Sequence, residues 1–214
     1  MVRACSWVVM FLVRGIRRKS PRNAGAAAHD SDGMAATSPT PSDPEGRVDL
    51  SPGAAFPDLR LPDHAGYDRS LSELVAGDPV VVQTYRGWWC PKEQAYLRKL
   101  VAFQDEVEVS YTRIISISVD APPVTAAFRA GLGARWTFLC DPERTALEQL
   151  GLRETTDTVN HPYVPAVFTL RPDLTIERAY NGYWFWGRPT LEELRQDLRT
   201  ITRAVRSDWD APTP

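Results

Sequence analysis

The sequence predicts an α/β fold, a three-layer sandwich with a central mixed β-sheet flanked by helices. Three observations carry this reading. Short β-branched runs alternate with helical segments between Val80 and Leu150, the order that parallel strands with crossover helices require. Two later runs, Ala166 to Leu170 and Thr175 to Tyr180, flank the turn Arg171-Pro172-Asp173 and should form an antiparallel hairpin. A strongly amphipathic segment closes the chain and needs a sheet face to cover it.

The elements follow in order. Residues 20–49 are rich in Ala, Ser, Pro, Gly, Asp and Thr and almost lack large apolar side chains, so residues 1–50 are expected to form a disordered tail. The apolar run Trp7 to Val13 is too short to span a bilayer as a helix. It reads as a signal-peptide core, with Ala26-Ala27-Ala28 downstream, or as part of a misassigned start with Met34 as the alternative. Arg14, Arg17, Arg18 and Lys19 stand where a signal peptide does not place positive charge. The folded domain is expected over residues 51–208, with a short tail at 209–214.

Pro52 to Leu61 carries spaced apolar residues, and Asp63 to Tyr67 reads as a turn. Ser70, with Glu73 three residues on, can start a short helix that Gly77-Asp78-Pro79 breaks. Val80 to Tyr85 is a buried strand. Pro91 to Val107 is helical, with Tyr96, Leu97, Leu100, Val101 and Gln104 on one face. Ile114 to Val119 is a second strand, Pro122 to Leu132 a short helix and Trp136 to Leu139 a third strand. Pro142 to Leu150 is helical and ends at Gly151. In the last helix Thr190 and Glu193 form a capping box, and Leu191, Leu194, Leu198, Ile201 and Val205 form the apolar face.

Composition narrows the function. The 214 residues carry a formal net charge of −2, with 43% hydrophobic and 24% charged residues, a globular balance. A near-neutral chain offers no electrostatic case for nucleic acid as the main partner. Three cysteines (Cys5, Cys90, Cys140) at wide spacing make neither a disulfide framework nor a zinc site, and His29, His64 and His161 show no ligand spacing. No metal or cofactor is expected. Free thiols fit a reducing compartment, the cytoplasm, with no membrane association.

Tyr85-Arg86-Gly87-Trp88-Trp89-Cys90-Pro91-Lys92-Glu93 is the most specific stretch. Cys90 falls between a buried strand and a long helix, and Pro91 suits the first helical position, where its missing N–H costs nothing. Unpaired amides and the positive end of the helix dipole favour a thiolate at such a position. The thiolate is the species that attacks peroxides and disulfides. Arg86 and Lys92 would add positive charge, and Glu93 would oppose them. Cys140, at the end of a short strand, reads as a buried structural thiol.

At these residues the sequence resembles the alkyl hydroperoxide reductase/thiol-specific antioxidant group, the peroxiredoxins and their thioredoxin-like relatives. The resemblance covers residues 51–205. It rests on Ser51 to Leu59 with Leu61-Pro62-Asp63, on Trp89-Cys90-Pro91-Lys92-Glu93, and on Leu139 to Glu143. The run Tyr85 to Pro91 is closer to a peroxiredoxin-like branch with an aromatic-Arg-Gly-x-Trp-Cys-Pro signature. The resemblance implies a thioredoxin-like fold and a peroxidatic Cys90 that is reduced by an external thiol. It leaves a homodimer open.

Two departures concern activity. The family pattern Pro-x-x-x-Thr-x-x-Cys has Gln83 at the Pro position and Gly87 at the Thr position, which removes a hydrogen-bond donor to peroxide. The family's arginine before a late strand is replaced by Val164-Pro165, which looks like the cis-proline facing the cysteine in thioredoxins. Arg86 or Arg188 would have to substitute for that arginine. Position 93 is Glu, so a Cys-x-x-Cys disulfide is excluded.

Three functions follow: one-cysteine peroxide reduction through Cys90 with Arg86, disulfide exchange through Cys90 facing Pro165, and a redox-silent binding domain. The aromatic run Tyr180 to Pro189 is either a packed lid or an apolar wall beside Cys90, and His161 is either a loop residue or a neighbour of the sulfur.

Overall fold

The computed structural model describes residues 48–182 and 187–206. The tail expected at 1–50 thus lies almost wholly outside the described residues, as do Trp184 to Trp186 and the C-terminal tail.

A small hairpin comes first, β1 (Arg60–Pro62) antiparallel to β2 (Asp68–Ser70). Asp63 makes its turn by accepting the amides of Ala65 and Tyr67 on one carboxylate oxygen, an Asx-type substitute for backbone bonding. The helix α1 (Leu71–Val75) starts at Ser70, whose hydroxyl accepts the Glu73 amide.

The main sheet contains β3 (Val80–Thr84), β4 (Arg113–Ser118), β5 (Thr137–Cys140), β6 (Ala166–Leu170) and β7 (Ile176–Asn181) in the order β5-β4-β3-β6-β7. The strands β3, β4 and β5 run parallel, whereas β6 is antiparallel to both β3 and β7. The sheet is therefore mixed. Its parallel half is joined by α2 (Pro91–Val109) and α3 (Pro122–Leu132), and its antiparallel half ends in the expected hairpin.

Period-two alternation sends side chains to two cores. Val80 and Val82, with Ile115, Ile117 and Phe168, pack under α1 and α4 (Thr145–Gln149) on one face. Val81, Phe138 and Val167 pack under α2 and α5 (Leu191–Val205) on the other, against Leu97, Leu100, Leu194 and Leu198. The three layers expected from the sequence are present.

Local chemistry sets the helix ends. Both halves of the Thr190–Glu193 capping box form at α5, and Gly133 closes α3 in the left-handed region at φ 73°. One boundary differs from the sequence reading. The helix expected from Pro142 begins at Thr145, because Arg144 adopts φ 61° and Asp141 reaches forward to accept the Leu147 amide at 2.9 Å. The two three-residue strands β1 and β2 are also additions to that reading. Among the described residues no helix is long and apolar enough to cross a membrane, and no cluster of three His, Cys, Asp or Glu side chains has metal-binding geometry.

Candidate functional site at the start of α2

The strand β3 delivers the chain to one end of the sheet, where Tyr85 is fully buried and the next four residues turn into α2. Cys90 is the N-cap of α2 with extended backbone (φ −82°, ψ 116°), and Pro91 occupies the first turn. The Cys90 amide donates to the Gly87 carbonyl at 3.2 Å, and the Cys90 carbonyl accepts the Gln94 amide at 3.1 Å. The sulfur forms no cap hydrogen bond to the helix. Cys90 therefore stands at the N-terminal end of a 19-residue helix, where backbone amides are unpaired, and its side chain makes no cap bond to them.

The turn before Cys90 is held from three sides. The Trp88 amide donates to Asp120 at 2.9 Å, and the Ser118 hydroxyl lies 3.3 Å from the same carboxylate oxygen. Burial pushes the Asp120 carboxyl above its ordinary range, and the bonds from Trp88 and Ser118 pull it part of the way back. Gln94 donates its side-chain amide to the Trp88 carbonyl at 2.8 Å. Arg86 pairs with Asp157 at 2.8 Å and lies over the Trp89 ring at 4.9 Å. Asp157 is itself fixed by the amides and side chain of its own loop, which hold its carboxyl below the usual range.

Gly87 accounts for the missing threonine. Its φ of +148° is a region L-residues rarely adopt, and a Cβ there would lie 2.7 Å from Trp89 Nε1 and 3.3 Å from Asp120 Oδ1. The position is closed to any side chain while Trp89 and Asp120 hold this arrangement.

Pro165 is buried at the start of β6, at the same end of the sheet as the end of β3. The expectation of a cis-proline is not met: among the described residues every peptide bond is trans. The segment is held another way. Thr84 Oγ1 donates to the Val164 carbonyl and accepts the Ala166 amide, both at 3.0 Å, spanning the proline that has no N–H to offer. The Pro165 carbonyl accepts the Gly182 amide at 2.6 Å.

The structure thus gathers Arg86, Trp88 and Trp89 around the Cys90 turn. It gives His161 a loop role, with its carbonyl accepting from Arg144 at 3.2 Å and its amide bonded to the Asp157 carbonyl. Cys140 is a free, fully buried thiol at the end of β5; burial pushes its pKa up, disfavouring the thiolate, and a bond with Thr125 works the other way.

Three features were not legible in the sequence. Cys90 is only 3% exposed, although the chemistry expected of it requires a sulfur that meets its substrate. Glu93, expected simply to oppose the local positive charge, is fully buried and ion-paired with Arg188. An apolar groove of about 630 Å³ also runs between α2 and α3, lined by Trp88, Val124, Phe128 and Leu132 with Arg98 at its rim. Trp88 is half exposed in it, which ties this groove to the cysteine turn.

Solved structures share this architecture. A peroxidoxin BcpB from Mycobacterium tuberculosis superposes with a TM-score of 0.62 at 21% identity, covering 74% of this chain and 99% of its own. A thiol peroxidase from Chromobacterium violaceum gives 0.64 at 17% identity, covering 78% and 93%. The peroxiredoxin 6 of Arenicola marina, as a cysteine-to-serine mutant, gives 0.65 at 14% identity, covering 77% and 82%. At these identities the likeness establishes the fold, which is thioredoxin-like. No curated protein matches the chain. The family model described as the AhpC/TSA family matches residues 52–179, which includes β3, the Cys90 turn, α2 and most of the hairpin. With that match spanning more than half of its length, the chain belongs to the AhpC/TSA family.

Proposed function

We propose that this chain is a one-cysteine thiol peroxidase that works through Cys90. Membership of the AhpC/TSA family makes it a thiol-dependent oxidoreductase with antioxidant function. The observation that carries the finer reading is the placement of Cys90 as an N-cap whose sulfur caps nothing, with proline in the first turn.

The chemistry balances without a second cysteine. The Cys90 thiolate attacks one peroxide oxygen; an S–O bond forms and the O–O bond breaks. The leaving alkoxide or hydroxide takes up a proton, and the sulfur becomes a sulfenic acid. An external thiol then attacks that sulfur, releasing water and leaving a mixed disulfide. A second thiol restores Cys90 and departs as a disulfide. Cys140 is fully buried and takes no part. In this reading Arg86 is the cation beside the turn, stacked on Trp89 and oriented by Asp157. The substrates are a peroxide and a thiol reductant, and the free thiols suit a reducing compartment such as the cytoplasm.

Disulfide exchange through Cys90 facing Pro165 keeps the proline in place of the arginine as its motive but lacks the cis bond of the resemblance. A second reading has one observation in its favour. The near-complete burial of Cys90 beside an open apolar groove fits a redox-silent binding domain. Steady-state turnover separates the two. Consumption of hydrogen peroxide or an organic hydroperoxide with a thiol reductant, abolished in Cys90→Ser, supports the peroxidase. Equal, slow consumption by both proteins overturns it.

A further inference from the structure

A groove of about 340 Å³ lies between the C-terminal halves of α2 and α5 and the turn from α2 into β4. Phe103 and Leu198, both buried, form its floor. Val109 and Tyr111 stand at its edge, 76% and 66% exposed. Tyr111 is held there against its backbone preference, at φ 52°, a left-handed conformation that a bulky residue rarely adopts. Three donors fix the turn on one acceptor. The Val107 carbonyl accepts the Ser110 hydroxyl at 3.1 Å, the Thr112 hydroxyl at 3.0 Å and the Thr112 amide at 3.1 Å. The turn thus keeps an aromatic ring out of the core and beside the groove.

The groove is also positively charged. Arg195, Arg199 and Arg206 line it against one carboxylate, Glu106. Arg195 holds Glu106 through two bonds, at 2.5 and 2.8 Å. Arg206 lies 5.2 Å from the Tyr111 ring and only loosely pairs with Asp78, at 3.9 Å. Arg199 bears on Glu106 through space, with no hydrogen bond or ion pair to it or to another described residue.

Arg206 is also the C-cap of α5, with extended backbone. The next residues, Ser207-Asp208-Trp209-Asp210-Ala211-Pro212-Thr213-Pro214, lie outside the described residues. They set one large aromatic between two aspartates, in a stretch otherwise made of small residues and prolines. Its composition complements the groove, apolar ring to apolar floor and two carboxylates to the less committed arginines.

We propose that the groove seats the chain's own residues 208–210, with the Trp209 indole on Phe103 and Leu198 beside Tyr111, and with Asp208 and Asp210 paired to Arg199 and Arg206. Reach permits it. Three residues of extended chain span about 10 Å, and the two turns of α5 from Arg206 back to Leu198 span about 12 Å, a gap the indole closes with its own length. Tethering favours this occupant over a second copy or a foreign acidic peptide. A segment joined three residues from the rim meets the groove at an effective concentration on the order of millimolar. An aromatic anchor of this kind covers about 150–250 Å². Seated there, the segment ties α5 to the end of α2 opposite Cys90. The inference does not depend on the reactivity of Cys90.

The test uses the full chain with photoreactive benzoylphenylalanine in place of Trp209. After irradiation, peptide mass spectrometry should find links within one chain to residues 103–112 or 198–206. Links to any other segment, an absence of links, or covalent dimers overturn the inference, the last by placing the segment on a second copy. Hydrogen exchange then reads the charge pairing without the probe. Amides of residues 106–112 should exchange about tenfold faster in Trp209→Ala than in wild type, the effect of truncating an aromatic anchor. Asp208→Asn/Asp210→Asn and Arg199→Glu should also speed exchange, and Arg199→Glu combined with Asp208→Lys/Asp210→Lys should restore protection. Thermal melting confirms that each variant is folded. Exchange that is the same in wild type and in all folded variants overturns the inference, as does a charge-reversed combination no better protected than Arg199→Glu alone.

Discussion

Replacing Gly87 with alanine or with the threonine of the family pattern should damage the fold rather than restore a missing donor. The backbone strain alone costs about 1–3 kcal/mol for an L-residue held in this region. The new Cβ would also sit 2.7 Å from Trp89 Nε1, so the indole must move. That ring lies under the Arg86 guanidinium at 4.9 Å, and Arg86 is tied to Asp157 at 2.8 Å. Loss of the stacked cation adds about 0.5–1 kcal/mol. The sum, about 1.5–4 kcal/mol, is a large share of the ~5–15 kcal/mol that holds an ordinary domain together. Urea unfolding of Gly87→Ala and Gly87→Thr, at unchanged slope, should show unfolding free energies lowered by that amount, with earlier midpoints. Unfolding free energies that stay within about 0.5 kcal/mol of wild type would refute the argument that the glycine is conformationally required. A Gly87→Thr protein that reduced peroxide faster than wild type would refute it from the functional side.

Other perturbations follow from the same geometry. Thr84→Val removes the hydroxyl that spans Pro165 and leaves the Val164 carbonyl and Ala166 amide without it; a loss of about 1–3 kcal/mol in denaturant unfolding is expected. Tyr163→Phe deletes a buried bond of 2.6 Å to Asp141, and its charged acceptor sets the expected cost at about 1.5–3 kcal/mol in the same assay. The Asp120 carboxyl is raised by burial, so the folded state holds that proton more tightly than the unfolded chain. Its contribution to stability is full below the ordinary value of 3.8 and is lost as pH rises through the raised folded value. Asp120→Asn keeps an acceptor for the Trp88 amide, and its stability profile across mildly acidic pH should lack that decline; an unchanged profile would count against the assignment.

Local signals made much of the fold legible. Pro91 after a cysteine, the Thr190–Glu193 box and the Arg171-Pro172-Asp173 turn each depend on a few adjacent residues, and each appears as expected. The α4 start is not legible in periodicity, because the Asp141 side chain accepts the Leu147 amide six residues on and Arg144 takes a left-handed backbone before it. The β1–β2 hairpin has no signature in the sequence, because three-residue strands carry no alternation to read. At the site, the sequence yields Cys90 and its helix, since both are local. It does not yield the partner of Arg86, which is 71 residues away, nor that of Glu93, which is 95 residues away. Side-chain pairing across such distances follows from topology, and a single sequence holds no periodic trace of it. The burial of Cys90 belongs to the same class, since it depends on what the completed fold lays over the turn.

The central claim is that the Cys90 sulfur is the atom a peroxide oxidises. Treating the full chain with one equivalent of hydroperoxide in the presence of a sulfenic-acid trap, then mapping the adduct by mass spectrometry, tests this directly. The account expects the adduct on Cys90 in wild type and in Cys140→Ser, and none on Cys140. An unmodified Cys90 under conditions that leave the protein folded would contradict it.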